Sequence, residues 1–164
     1  MLALKDYDGS LAIFQKVLRQ KRKKYGYTYN DPTFAMIVNN IGVCHFEFGG
    51  TLAAVKAFEE SVEIQRTALQ RERSLVDKQD IIISQCKSLN NLAFARYERG
   101  ENSEAIIALE ERVTLLRDLY DDDHSEVRSS VKSLAHVMAT ANCQDNKDKI
   151  QQMTDMYIDM FSRG

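Results

Sequence analysis

Between Ser88 and Val113 the chain reads SLNNLAFARYERGENSEAIIALEERV, with Leu89, Leu92, Ala93 and Arg96 recurring at helical spacing. Gly100 breaks the run, and Ala105 and Leu109 resume it on a second helix. The same grammar occurs earlier as IVNNIGVCHFEFGGTLAAVKAFEESV, where Val38, Ile41, Gly42 and His45 lead to Gly49 and then to Ala54, Phe58 and Ser61. A helix pair written twice predicts a repeat architecture. Such units bury their apolar faces only by stacking, and stacking leaves an extended surface for partners. The expected fold class is all-α, with antiparallel helix pairs stacked as a right-handed α-solenoid in a single repeat domain over residues 1–164.

Along the chain, Lys5 to Val17 aligns with Gly49 to Ser61, which sets Phe14 opposite Phe58 and Ser10 opposite Ala54. Residues 1–29 are therefore expected to be a partial repeat that holds a second helix. Its stripe of Leu11, Phe14 and Leu18 has little upstream helix to cover it. That implies a fragment of a longer array, a neighbouring subunit over the N-terminal apolar stripe, or a start at Met1 with the stripe left open. Complete repeats are expected over 30–78 and 79–121. The first opens on Asp31-Pro32, a capping acceptor followed by proline at the first helical position. Its turn is Gly49-Gly50-Thr51, with Thr51 as N-cap, and the second repeat turns at Gly100 to Asn102. The polar stretch LQRERSLVDKQD between them is either a longer helix or a loop.

A divergent or capping repeat is expected over 122–164. In DDDHSEV, Asp123 and Glu126 have capping-box spacing, which is favoured over a cation site because no glycine apex or calcium-loop glutamate is present. Val131, Leu134, Ala135 and Met138 then repeat the apolar pattern. After a glycine-free turn at Asn142 to Asn146, a last helix sets Ile150, Met153, Tyr157 and Phe161 on one side. That face is expected to pack back on the preceding helix, with docking to a partner or membrane surface as the alternative.

Composition narrows the chemistry. With 44% hydrophobic and 28% charged residues and a net charge of −2, the chain fits a soluble globular class and gives no global signature of nucleic-acid binding. The run Lys16 to Lys24 holds six basic residues and no acid. It is read as the solvated end of a helix, so nucleic acid is not an expected partner. Cys44, Cys86 and Cys143 form no Cys-x-x-Cys pair, so no zinc site, disulfide framework or other cofactor is implied. No run approaches the length of a transmembrane segment, and the start lacks a secretion signal. A cytoplasmic location is expected, or an organelle interior after removal of a transit peptide. The spacing of His45, His124 and His136 suggests no cysteine or serine triad, and Glu59-Glu60 and Glu110-Glu111 read as solvated faces. Catalysis is not expected.

The unit SLNNLAFARYERGENSEAIIALEERV, followed by LRDLYDDDHSEV, resembles a tetratricopeptide repeat of the long, kinesin-light-chain type. The resemblance rests on Asn90-Asn91-Leu92-Ala93, Gly100, Ala105 and Asp123-His124. In the earlier unit it rests on Asn39-Asn40-Ile41-Gly42, Gly49, Ala54 and Asn30-Asp31-Pro32. In the last unit Lys132-Ser133 replaces the asparagine pair. The heptad coiled coil of the kinesin light chain is absent. Small residues such as Gly42, Ala54, Ala93 and Ala105 let paired helices approach, and Ile41, Phe58, Leu92, Ala105, Leu109 and Leu134 are the expected core.

Helical phase divides each first helix into two arcs. Val38, Ile41, Gly42 and His45 face the core, leaving Asn39, Asn40, Val43, Phe46 and Glu47 on the other arc. The equivalent set one repeat later is Asn90, Asn91, Phe94, Tyr97 and Glu98. The resemblance implies that this second arc lines a concave groove for an extended peptide or partner protein. Asparagine amides suit a peptide main chain because they both donate and accept. The alternatives are that the asparagines only tie neighbouring helices together, or that the chain is a structural subunit held in a larger complex through its ends and convex face.

Overall fold

The computed structural model describes residues 7–26 and 31–141, together with 151 and 155. Within them the chain forms six helices and no strand: α1 (Tyr7–Tyr25), α2 (Pro32–Glu47), α3 (Thr51–Arg71), α4 (Leu75–Glu98), α5 (Asn102–Leu119) and α6 (Ser125–Thr140). Each helix packs on the next, and α2 also touches α4, so the elements stack as an α-solenoid. The expected turn at Asn142 to Asn146 and the face of Ile150, Met153, Tyr157 and Phe161 lie outside the described residues.

The two intra-repeat turns are the same object. Gly49 and Gly100 both adopt φ +75°, the left-handed region that glycine enters without penalty. After α2, Gly49 N donates to Phe46 O and Gly50 N to His45 O at 2.9 and 2.8 Å. After α4, Gly100 N donates to Tyr97 O and Glu101 N to Arg96 O, both at 2.9 Å. These are paired Schellman closures, which satisfy the last carbonyls of each first helix. They also correct the expectation at Thr51. Gly50 is itself the N-cap of α3 and makes no side-chain cap bond, and Thr51 is already helical. The chain passes from the closure straight into the next helix, which leaves no position for a hydroxyl cap.

Asp31 caps α2 as expected, its Oδ1 accepting from Thr33 N at 2.7 Å with Pro32 in the first turn. The polar stretch between the repeats resolves into a longer helix. Ser74 caps α4 by accepting from Asp77 N, and α4 therefore begins at Leu75, ahead of the boundary expected at 78/79. Glu72 fixes the short link by accepting from Arg73 N and Ser74 N at 2.7 and 2.8 Å, and these two bonds hold its carboxyl below the usual range. At α6 the expected cap is corrected from Asp123 to His124, whose Nδ1 accepts from Glu126 N at 3.3 Å. His124 takes this role because its ring stacks on Tyr120 at 3.9 Å, which holds the nitrogen at the helix end.

Ile41, Phe58, Leu92, Ala105, Leu109 and Leu134 are all buried. Gly42 lies against Phe58 so closely that a Cβ there would sit 2.6 Å from the ring. On α1, Leu11, Phe14 and Leu18 pack half-buried beside Phe34, Ala35 and Val38 of α2, while Ile13 stays 63% exposed. A buried polar thread also crosses the stack. Ser61 Oγ donates to Ala35 O at 2.8 Å and lies 3.1 Å from Ser88 Oγ. Gln65 Nε2 donates to Ser84 Oγ at 2.8 Å, and Gln85 Nε2 to Glu111 Oε1 at 3.0 Å. Breaking such buried bonds costs more than forming them gains, so the thread disfavours other stacking registers.

Glu59 and Glu60 are exposed, as expected of a solvated face, and Glu111 is half-buried, but all three also form ion pairs. Glu60 pairs with Arg22 of α1, Glu111 with Arg66 of α3, and Glu59 with Arg96 at 2.6 Å. The first two pairs join successive second helices, α1 to α3 and α3 to α5, and the third joins α3 to α4. No helix among the described residues is long and apolar enough to cross a membrane.

Candidate functional site

The face built by α2, α4 and α6 carries the residues that the helical phase set apart. On α2, Asn40 and Glu47 are exposed, and Asn39, Val43 and Phe46 are half-buried. On α4, Asn90, Phe94 and Glu98 are exposed, and Asn91 and Tyr97 are half-buried. The core arc is broader than expected. Cys44 and Ala95 are buried as well, because each first helix is gripped by neighbours on two sides, whereas His45 is only half-buried at the last turn of α2.

The asparagines divide into two kinds. Asn91 Nδ2 donates to Asn39 Oδ1 at 3.2 Å, a bond between α4 and α2. It joins the first asparagine of one pair to the second of the other, which leaves Asn40 and Asn90 at the surface. Asn40 lines a cavity of about 330 Å³ between α2 and α4, together with Met36, Asn39, Ser84 and Lys87. Asn90 lines a second cavity of about 420 Å³ between α4 and α6.

Aromatic rings run along the same face. Phe46 meets Phe94 with centroids 5.4 Å apart, a tilted contact between α2 and α4. Tyr97 meets His136 of α6 at 6.1 Å. Phe94 remains 53% exposed despite its ring contact. An exposed aromatic ring beside a pocket is an unfilled contact surface.

The α4–α6 cavity lies between two matching stripes. Asn90, Ala93, Phe94 and Tyr97 on α4 occupy positions i, i+3, i+4 and i+7, as do Ser129, Lys132, Ser133 and His136 on α6. Leu109 and Val137 complete the lining among the described residues, and none of these is acidic. Helical phase singles out Asn90, Phe94 and Tyr97 of the α4 stripe and leaves out Ala93 and the α6 stripe, although the register of Lys132-Ser133 with the asparagine pair was a sufficient signal. Among the described residues no three His, Cys, Asp or Glu side chains are placed to hold a metal ion.

Solved structures share this architecture. A kinesin light chain of nearly identical TPR-like repeats from Podosopora anserina superposes with TM-score 0.68 at 19% identity, covering 96% of this chain and 68% of that one. BtubC (BKLC) from P. vanneervenii superposes with TM-score 0.71 at 14% identity, covering 98% of this chain and 57% of that one. At these identities the likeness is one of fold, a tetratricopeptide-like α-solenoid. No curated protein sequence matches the chain. A family model does, twice in succession, over residues 2–75 and 70–141, and that span takes in both complete helix pairs and α6. By this match the chain belongs to the family described as anaphase-promoting complex subunit 5.

Proposed function

We propose that the chain is a non-catalytic protein–protein interaction module that holds an extended peptide, or an extended segment of a partner protein, along the face of α2, α4 and α6. The observation that carries this reading is the division of the asparagines. Asn39 and Asn91 satisfy each other, and Asn40 and Asn90 stay exposed beside two cavities and a line of aromatic rings. An amide that both donates and accepts can pair with a peptide backbone whatever its sequence, and the rings of Phe46, Phe94 and Tyr97 supply apolar contact. Val43 packs half-buried against the core, and Glu47 and Glu98 stand at the end of this face nearest the glycine turns.

A second reading rests on the family. Its description names a subunit of a multi-subunit complex, and exposed apolar side chains away from this face, Ile13 and Ile107, suit contact with neighbouring subunits. Both readings are tested by comparing wild-type protein with an Asn40→Ala/Asn90→Ala variant, each checked for folding, in quantitative capture from native lysate. Loss of a defined partner from the variant, followed by mapping of that partner's bound segment, supports the peptide groove. Unchanged capture overturns the groove and transfers the function to the ends and the opposite face.

A further inference from the structure

The α4–α6 cavity differs in charge from the α2–α4 cavity. At the register position of Asn39 and Asn90, α6 carries Lys132, and one turn later it carries His136. Among the described residues Lys132 has no ion-pair partner. In the α2–α4 cavity Lys87 shares the lining with Asp80, so that site holds both signs. Among the described residues the α4–α6 cavity holds cationic and neutral donors over an apolar floor, without a counter-charge.

We propose that this cavity receives the phosphorylated serine or threonine side chain of a peptide lying in the groove, an inference that rests on the groove reading above. A phosphate monoester brings close to two negative charges and three acceptor oxygens. The ammonium of Lys132, the ring N–H of His136, the Asn90 amide and the Ser129 hydroxyl supply donors from both walls. The Ser133 hydroxyl is already engaged, donating to Ser129 O at 3.1 Å. A carboxylate has one charge and two oxygens, and would leave part of this donor set unpaired. A cavity of about 420 Å³ accommodates the larger group. The main chain on either side would lie along the exposed ring of Phe94. The departure of the last repeat from the asparagine pattern is what gives this cavity its charge.

The test uses the full chain and degenerate extended-peptide pools with a central phosphoserine, serine or aspartate, measured by fluorescence anisotropy. The phosphoserine pool is expected to bind about tenfold tighter than the serine pool and tighter than the aspartate pool. Lys132→Gln is expected to remove most of the phosphoserine preference, read as the ratio of phosphoserine-pool to serine-pool affinity within the same variant. Equal binding of all pools to wild type overturns the inference and leaves the groove intact. Equal binding of the phosphoserine and aspartate pools also overturns it, since charge alone is then being read. A phosphoserine preference undiminished in Lys132→Gln places the anion elsewhere and overturns the site, whatever His136→Gln does. Binding of no pool overturns the groove reading together with the inference. Far-ultraviolet circular dichroism of each variant keeps loss of binding distinct from loss of fold.

Discussion

Asn91 donates a hydrogen bond to Asn39 across 3.2 Å, and this amide contact separates the two asparagines that tie α4 to α2 from the exposed Asn40 and Asn90. Asn39→Ala or Asn91→Ala is expected to destabilise the fold by about 1 kcal/mol, the usual worth of a partly buried bond. Asn40→Ala and Asn90→Ala are expected to leave stability within about 0.5 kcal/mol while weakening peptide binding. Urea denaturation of the four single variants checks the division. A stability loss that falls equally on all four would remove it.

Gly42 owes its identity to Phe58. It sits within α2 at an ordinary helical φ, so nothing in its backbone requires glycine. Replacement by alanine in a helix normally gains about 1 kcal/mol. Here the new methyl would lie 2.6 and 2.7 Å from two ring atoms of Phe58. Gly42→Ala is therefore expected to destabilise by about 1–3 kcal/mol through overpacking. Phe58→Leu should recover part of that loss when combined with it. A stabilised Gly42→Ala, read by thermal melting, would contradict the packing.

The start of α6 discriminates between two caps. His124→Ala is expected to cost about 1 kcal/mol, because Glu126 N loses its acceptor and Tyr120 loses its stacked ring. Asp123→Ala should change stability by less than about 0.5 kcal/mol. The reverse order in denaturant melts would restore the aspartate as cap.

Cys86 is 4% exposed, and burial pushes its thiol up to about 12, while burial moves the Cys44 thiol in the same direction. Both are expected to resist a disulfide reagent at pH 8 and to react at the rate of unfolding, read in a Cys143→Ser background. The raised folded value means that the folded state keeps its proton longer than the unfolded chain. The stabilisation from Cys86 is thus fully present below about pH 8.5 and is lost as pH climbs from there through 12. Cys86→Ala should flatten the decline of stability over that alkaline window.

The features legible in the sequence were those written locally. Asp31-Pro32 marks a helix start by its own chemistry, and Gly49 and Gly100 mark turns because few other residues accept φ +75°. Periodicity found Phe58, Leu92, Leu109 and Leu134 because one buried face per helix repeats at helical spacing. What escaped depends on distances between helices. The partners of Glu59, Glu60 and Glu111 lie on helices remote in sequence, at separations set by the stacking. Cys44 and Ala95 are buried because a first helix has two flanks covered, a fact that one-face periodicity does not contain. The candidate site was legible as an arc on α2 and α4. The Asn39–Asn91 bond required the superposition of repeats in space, whereas the α6 wall was already written in the register of Lys132-Ser133 with the asparagine pairs.

The apolar interior falls into two bodies that share α3. Among the described residues one gathers twenty buried side chains from α3 through α6, and the other gathers six from α2 and α3 with α1 laid over them. Cooperativity follows buried area, so the smaller body is the weaker foldon and opens first under denaturant. Amide protons of α2 should exchange with solvent ahead of those in α4 and α5. A ligand lying from Asn40 to His136 would bridge the two bodies and slow that exchange in α2 by mass action. Occupancy of the face would then be read as a change in the order of unfolding, at helices far from the bound group.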